Sequence, residues 1–186
     1  MSVEVRKRLF TVEEFHRMGE AGILDDDARL ELWGGEIYEM PPIGPAHQGD
    51  VNVLTTKLVR ALGDRAIVSV QGPIVLDDYY EPLPDLAVLR PRDDFYRKAH
   101  PRPADVFLLV EVADTTLRRD RREKMPVYAT AGIPEAWLLD ITGRRLEVYS
   151  RPSPDGYKAT TILTPGELVS PQAFPDVVLA VEGLIG

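Results

Sequence analysis

The spacing of apolar and polar positions predicts three helical segments. Thr11 followed by Glu14 is a capping-box pattern and Gly22 is a typical stop, so residues 11–22 predict a short helix. A second helix is predicted over residues 45–64, where apolar side chains recur at helical spacing at Val51, Leu54, Leu58 and Leu62. Residues 117–132 also have a helical pattern, and Pro126 predicts either the end of a first turn or a kink.

Apolar runs predict the strands. Residues 28–42 predict two short strands around Gly34-Gly35, which is a hairpin signal. The run in DVFLLVEVAD, residues 105–114, is typical of a strand that is buried on both faces. Further strands are predicted within residues 66–78, 86–89, 134–141, 144–152 and 156–169. This order of elements predicts an α/β (α+β-like) fold with a mixed β-sheet flanked by helices, rather than regular βαβ alternation.

Length and composition narrow the class of protein. A chain of 186 residues fits a single domain, with an N-terminal helix and hairpin over about 8–43, a core over about 44–150 and a C-terminal strand and tail over about 151–186. No apolar run is long enough to span a membrane, no secretory signal is visible, and there is no cysteine, so we expect a cytoplasmic protein. The net charge of −8 argues against a protein that coats nucleic acid non-specifically.

Two carboxylates stand at or within predicted strands. Asp85 directly precedes the apolar run of residues 86–89, and Glu111 lies inside the strongest strand signal of the chain. An ionised Glu in a strand buried on both faces is costly unless it is paired or coordinates a cation. If the two strands are neighbours, both carboxylates can bind one cation, and a small set of hard oxygen ligands suits Mg²⁺. Taken alone, Asp85 after Pro84 is more typical of a turn than of a metal ligand.

Two more charged residues join this set. Asp120, Lys124 and Tyr128 are spaced i, i+4 and i+8, so they share one face of the predicted helix. Glu31 alternates with Leu30 and Leu32 in the first predicted strand, and this alternation is also compatible with a side chain in solvent. The three histidines, His16, His47 and His100, have no zinc-like spacing in the sequence.

This set of residues resembles the PD-(D/E)XK nuclease superfamily and, more closely, the Uma-two family of restriction-endonuclease-like bacterial proteins. The segments that carry the resemblance are RLELWGGEIYEMPP, AHQGDVNVLTTKL, PDLAVL, LLVEVAD, RRDRREKMPVYATAGIPEAWLLD and LEVY, which cover most of residues 29–149. In that pattern Asp85 and Glu111 take the two acidic positions. The usual lysine two residues after the Glu is replaced by Ala113, and Lys124 matches a lysine that has moved to the following helix.

The resemblance implies a restriction-endonuclease-like core and metal-dependent hydrolysis of DNA phosphodiesters. Asp85, Glu111 and the Val112 carbonyl would hold Mg²⁺, for which Mn²⁺ is a possible substitute, and Lys124 would orient or activate the attacking water. Glu31 would place a second ion or orient Lys124. His47, Gln71 and Tyr128 are possible supporting groups.

The substrate and partners are also expectations. The basic residues Arg118, Arg119, Arg121 and Arg122 are candidate phosphate contacts, although they are also compatible with ion pairs to nearby acids. A homodimer or higher homo-oligomer is expected, because cutting both strands of a duplex needs two active sites. Two alternatives remain open: a nuclease-fold module that binds DNA or protein without cleaving, and a hydrolase of a smaller phosphoester.

Overall fold

The structure is a computed structural model that describes residues 6–25, 27–114 and 116–185. The elements in chain order are α1 (Val12–Glu20), β1 (Leu30–Trp33), β2 (Glu36–Glu39), α2 (Pro45–Leu62), β3 (Ile67–Val70), β4 (Leu86–Leu89), β5 (Val106–Ala113), α3 (Leu117–Arg119), α4 (Met125–Thr130), β6 (Glu135–Asp140), β7 (Arg145–Ser150), β8 (Ala159–Leu163), β9 (Leu168–Val169) and β10 (Leu179–Ala180). None of the helices among these residues has both the length and the apolarity that a membrane crossing requires.

The fold is a six-stranded mixed sheet with helices on its faces, so the predicted fold class is confirmed. The strand order is β3-β4-β5-β6-β7-β8, and every neighbouring pair is antiparallel except β5 and β6. The parallel pair requires a crossover connection, which the helical segment between β5 and β6 provides. The strand after Asp85 and the strand that carries Glu111 are neighbours, as the β4–β5 pair, which meets the condition for both carboxylates to bind one cation.

A separate hairpin packs beside this sheet. β1 and β2 pair around Gly34 and Gly35, both with positive φ, which is the conformation that a tight hairpin turn requires. Leu32 of β1 also exchanges backbone hydrogen bonds with Glu81, at 2.8 and 3.2 Å. Glu31 is therefore held next to the chain segment that leads to Asp85.

The two faces of the sheet bury different residues. Leu86 and Val88 of β4 pack with α2 on one face, while Ala87 and Leu89 pack with α4 on the other. The alternation follows from the two-residue period of a strand. Glu111 lies between Leu109 and Ala113 on the α4 face, so its side chain points towards the crossover helix, which is the helical segment of residues 117–130 between β5 and β6.

The C-terminal part of the chain completes the α2 face of the core. Seven buried residues from β9 to residue 185 pack with α2 and the sheet: Val169, Phe174, Val177, Leu179, Val181, Leu184 and Ile185. The segment is also held by polar contacts, because the Gln172 N–H donates a 2.6 Å hydrogen bond to Glu135 on β6. The tail is thus part of the hydrophobic core.

Two predicted elements differ in detail. Within residues 66–78 only β3 is a strand, because the chain leaves the sheet at Gln71, which has a φ of 51°, and continues through Gly72-Pro73. The predicted helix around Pro126 is continuous, but Asp120–Lys124 form a π-helical turn between α3 and α4. Proline has no N–H to donate to the carbonyl four residues earlier, and the wider turn accommodates this loss.

Candidate active site

Asp85 and Glu111 approach each other at the end of the β4–β5 pair. Asp85 stands directly before β4, and one oxygen of its carboxylate, Oδ2, accepts a 2.9 Å hydrogen bond from the N–H of Val112 on β5. The Asp85 carboxylate thus accepts the Val112 N–H in place of a backbone carbonyl, because Asp85 precedes the first residue of β4. This contact fixes Asp85 beside the residue that follows Glu111.

The side chain of Glu111 is held by two groups from the crossover helix. Lys124 Nζ donates to Glu111 Oε2 at 3.0 Å, and the Tyr128 hydroxyl donates to Glu111 Oε1 at 2.5 Å. Asp120 Oδ1 lies 3.8 Å from Lys124 Nζ. The predicted common face of Asp120, Lys124 and Tyr128 is therefore the face that meets Glu111.

Glu31 reaches the same lysine from the hairpin. Its carboxylate is fully buried, its Oε1 accepts a 3.0 Å hydrogen bond from the Leu83 N–H, and the same oxygen lies 3.9 Å from Lys124 Nζ. Its Oε2 is buried and accepts no hydrogen bond among the described residues, and the closest charged partner is Arg119 at 3.7 Å. An acceptor oxygen is thus left without a donor beside the ammonium group.

Two of the predicted supporting residues contact Asp85. His47, near the beginning of α2, has its Nε2 2.9 Å from Asp85 Oδ1. Gln71 Nε2 donates to the same oxygen at 3.5 Å. Both groups orient the Asp85 carboxylate, and neither contacts Glu111 directly.

These residues border one cavity of about 280 Å³. Its polar lining is supplied by Arg29, His47, Asp85, Glu111, Asp114, Thr116, Arg119, Asp120 and Lys124. Its apolar lining comes largely from residues 40–46, including Pro41, Pro42 and Pro45.

Acidic groups outnumber basic groups in the interior of the site. Glu31, Asp85, Glu111 and Asp120 are all less than 10% exposed, and Lys124 is the one buried lysine among the described residues. Burial raises the pKa of Glu111 to about 8, with the attraction of Lys124 opposing the rise and the negative charges of Asp85 and Asp120 adding to it. Burial also raises the pKa of Asp120.

The remaining charges of the site are stabilised. Burial alone would raise the pKa of Asp85, but hydrogen bonds from His47 and the Val112 N–H hold that pKa below its usual value. Burial alone would lower the pKa of Lys124, but the surrounding carboxylates of Glu111, Glu31 and Asp120 raise it above its usual value. The hydrogen bond to Asp85 raises the pKa of His47. Lys124 is therefore an ammonium ion at neutral pH.

The four arginines that were predicted to contact phosphate differ in exposure and in their partners. Arg118 and Arg122 are exposed, and Arg119 lines the cavity while lying 3.5 Å from Glu123. Arg121 instead makes a two-pronged ion pair with the buried Glu147 on β7. This pair occupies Nε and Nη2 of Arg121, and its contact with phosphate stays a prediction, as it does for the other three arginines.

Sequence reasoning left Asp120 out of the site, although its i, i+4 relation to Lys124 was visible. It also missed the relation between two histidines. Among the described residues, the group of three His, Asp or Glu side chains whose ligand atoms all lie within 4.8 Å is His16, Glu81 and His100. The sequence gave no indication that these three residues are close, because α1, the Glu81 segment and the loop before β5 meet only in the folded structure.

The donor set of the site fits a divalent cation. Asp85 and Glu111 supply carboxylate oxygens, which are the ligands that Mg²⁺ prefers in proteins. Glu31 Oε2 has no hydrogen-bond donor among the described residues, and buried carboxylates outnumber buried cations at the site, so a bound cation would offset negative charge here. The Val112 carbonyl also fits as a ligand. The N–H and C=O of a strand residue point to the same side of the strand, and the Val112 N–H points to Asp85.

Comparison with known proteins gives a match to a family model and matches to solved structures. The model of the Uma2 family, described as "Putative restriction endonuclease", matches residues 12–182. A solved structure of a putative nuclease belonging to DUF820, from Anabaena variabilis ATCC 29413, matches with a TM-score of 0.75 at 17% identity, covering 94% of this chain and 97% of that chain. At this identity the likeness concerns the fold. The comparison with curated proteins gave no match.

Proposed function

The chain belongs to the Uma2 family, whose members are described as putative restriction endonucleases, and from this premise we propose that it is an Mg²⁺-dependent endonuclease of DNA. The observation that carries the proposal is the meeting of Asp85, Glu111 and Lys124 at one cavity, with Glu31 behind the lysine. Two carboxylates beside an ammonium group are what phosphodiester hydrolysis with a divalent cation needs.

Asp85 and Glu111 would hold the cation, together with the Val112 carbonyl. A bound Mg²⁺ or Mn²⁺ would lower the pKa of a water molecule and offset charge on the phosphoryl oxygens. His47 and Gln71 keep Asp85 oriented, and Tyr128 does the same for Glu111. These contacts limit the rotation of both carboxylates before any substrate binds.

Lys124 would act as a cation rather than as a base. Its raised pKa keeps it protonated, so it can orient the attacking water and stabilise the charge that develops on the phosphate. In the reaction the water oxygen forms a bond to phosphorus and loses a proton to solvent. The bond from phosphorus to the leaving sugar oxygen breaks, and that oxygen takes up a proton.

Exposed arginines would provide the contact with the DNA backbone. Arg118 and Arg122 are exposed on the same helical segment that carries Lys124, and Arg119 lines the cavity. Their charge is local, so it can attract a phosphate backbone in spite of the net charge of −8. A homodimer or higher homo-oligomer would bring two sites to the two strands of a duplex, and light scattering after gel filtration tests this part of the proposal.

Incubation of supercoiled plasmid with the protein and Mg²⁺ or Mn²⁺ tests the activity. We expect nicked and linear products that EDTA prevents. Asp85→Asn, Glu111→Gln and Lys124→Met should each abolish cutting, while Glu13→Gln, on the exposed side of α1, should keep it. Cutting that persists in Asp85→Asn would come from a contaminant or another site, and would overturn the proposal.

Two further outcomes would replace the endonuclease proposal with one of the alternative functions. DNA retention in a gel shift with EDTA, without cutting under either metal, would favour a binding module. Hydrolysis of bis(4-nitrophenyl) phosphate without cutting of any DNA form would favour a smaller phosphoester as the substrate.

A further inference from the structure

His16, Glu81 and His100 form a second cluster of metal-ligating groups. His16 Nε2 lies 2.7 Å from Glu81 Oε2, and the rings of His16 and His100 meet edge to face with their centroids 5.6 Å apart. One ligand atom from each residue lies within 4.8 Å of the other two. None of the three residues lines the cavity of Asp85 and Glu111, so the cluster is distinct from the proposed active site.

The backbone around each of the three residues is anchored. Glu81 is fixed by its paired hydrogen bonds to Leu32, and its carboxylate is 6% exposed. His16 follows the buried Phe15 on a helix with a complete capping box. The loop that carries His100 is tied on both sides of it, because Arg92 Nη2 donates to the Ala99 carbonyl at 2.8 Å and the Val75 N–H donates to the Pro101 carbonyl at 3.0 Å.

The cluster is open to solvent through two clefts. All three residues border a cleft of about 770 Å³, and the two histidines also border a neighbouring cleft of about 570 Å³. The buried carboxylate therefore forms the floor of the site, with the half-exposed His16 and the exposed His100 above it. This leaves room for a water or another ligand on a bound ion.

We propose that His16, Glu81 and His100 bind a transition-metal ion of the Zn²⁺ class. Two imidazoles and one carboxylate are a donor set that suits Zn²⁺ and its neighbours and does not suit Mg²⁺. A bound ion would take the place of the direct contact between His16 and Glu81. In a tetrahedral site with bonds of about 2.0–2.1 Å the ligand atoms lie about 3.3 Å apart. Rotation of the exposed His100 ring would bring its ligand nitrogen from within 4.8 Å of the other two ligand atoms to this separation.

Such an ion would join three separate parts of the chain: α1, the segment at Glu81 and the loop before β5. Because Glu81 pairs through its backbone with Leu32, the ion would also fix the strand that carries Glu31. The site does not depend on the proposed nuclease activity, since it shares no ligand with it.

Titration of metal-stripped protein with Zn²⁺ in a calorimeter tests the proposal. The double variant Asp85→Asn/Glu111→Gln serves as the background, because it removes the ligands of the proposed active site. We expect this variant to bind one equivalent of Zn²⁺, to bind Co²⁺ with a visible absorption band, and to leave the Zn²⁺ isotherm unchanged in excess Mg²⁺. Addition of Zn²⁺ should also raise its melting temperature.

Two single changes then locate the site. His100→Ala, at an exposed position, and His16→Ala should each lose the Zn²⁺ equivalent, the Co²⁺ band and the thermal shift, whereas Glu13→Gln on the same helix as His16 should keep all three. Circular dichroism of the two variants checks that they are folded. A double variant that binds no Zn²⁺, or a His100→Ala variant that binds it as before, would overturn the proposal. Plasmid cleavage is not used as a readout, so failure here leaves the nuclease proposal untouched.

Discussion

At the scale of single residues, the main feature of the site is a surplus of buried negative charge. Four buried carboxylates share the site with one buried ammonium group, and burial raises the pKa of Glu111 to about 8. Without a cation, Glu111 therefore keeps its proton through most of the neutral range. A divalent ion that binds Glu111 must displace this proton.

We expect Mg²⁺ binding to release a proton below pH 8. The affinity should increase as pH rises towards 8, because the carboxylate is then already ionised, and it should level off above that value. Calorimetry at pH 7 in two buffers with different ionisation enthalpies measures the release. Equal binding enthalpies in both buffers would contradict the prediction, and Glu111→Gln should bind Mg²⁺ more weakly without proton release.

Replacement of the buried lysine should be costly. Lys124→Met leaves Glu31 and Asp120 without their shared cation and Glu111 without one of its two hydrogen-bond donors, and breaking a buried pair costs about 3–5 kcal/mol. The raised pKa of Lys124 means that its contribution is fully present below its unfolded pKa of 10.5 and is lost as pH rises past its folded value. Urea unfolding at pH 7.5 measures the loss.

The same experiment has a matched control. Lys158→Met changes an exposed lysine whose partner Asp155 is also exposed, so we expect a change within about 0.5 kcal/mol. The loss in Lys124→Met should shrink at pH 5, where the carboxylates that lack a partner can take up protons. A loss that is equal at both pH values would argue against unpaired charge as the cause.

The residues of the site were only partly predictable. Glu111 was visible because a charge inside a run such as FLLVEVA needs a partner, and the spacing of Lys124 and Tyr128 placed both on one face. The burial of Glu31 was not visible, since it depends on the Leu32–Glu81 bridge. The pairing of His47 with Asp85 joins residues 38 positions apart, and no local pattern encodes such a contact.

At the scale of elements, the helical segment that carries Lys124 contains a π-helical turn over Asp120–Lys124. Met125 donates its N–H to the Asp120 carbonyl, five residues back, and this wider turn precedes Pro126. Asp120 and Lys124 are both buried, on the side that faces Glu111. The sequence predicted a disturbance at Pro126, but the form that it takes depends on packing against the sheet.

The C-terminal segment should contribute strongly to stability. Phe174 is buried, packs edge to face on Phe107 at 5.1 Å between centroids, and is covered by Arg65. We expect Phe174→Ala to lower the free energy of unfolding by about 3–5 kcal/mol. Val178→Ala, four residues later and 57% exposed, should change it by less than about 0.5 kcal/mol. Urea unfolding of both variants checks this, and equal effects would contradict the packing.

The elements themselves were largely predictable where their pattern was local. The capping box of α1, the apolar spacing of α2 and the hairpin at Gly34-Gly35 all correspond to observed elements. The irregular path of residues 71–85 was not predictable, because its buried Ile74, Val75 and Leu76 have the composition of a strand. Its shape is set by a positive φ at Gln71 and by contacts with β1.

At the scale of the whole molecule, the hydrophobic core does not depend on the proposed cation. Both faces of the sheet are packed by apolar side chains, and the carboxylates lie at one end of the β4–β5 pair. The fold should therefore persist when metal is removed. The cation should act as a ligand of the folded state and stabilise it by mass action.

We expect EDTA to leave the circular dichroism spectrum unchanged. Mg²⁺ at 100 times its dissociation constant should stabilise the protein by about 2.7 kcal/mol, which corresponds to a rise in melting temperature of about 5–10 °C. Asp85→Asn should show no such rise. Unfolding on addition of EDTA alone would contradict the claim that the hydrophobic core is stable without the cation.

The position of the tail in the core has a consequence for synthesis in the cell. Translation proceeds from the N-terminus, so Phe174 and Leu184 leave the ribosome long after α2 and β4 have emerged. Until then the α2 face of the sheet lacks part of its apolar cover, and the nascent chain is exposed to aggregation and to chaperones. A product of premature termination near residue 165 would carry every ligand of the proposed nuclease site but would not hold them in place.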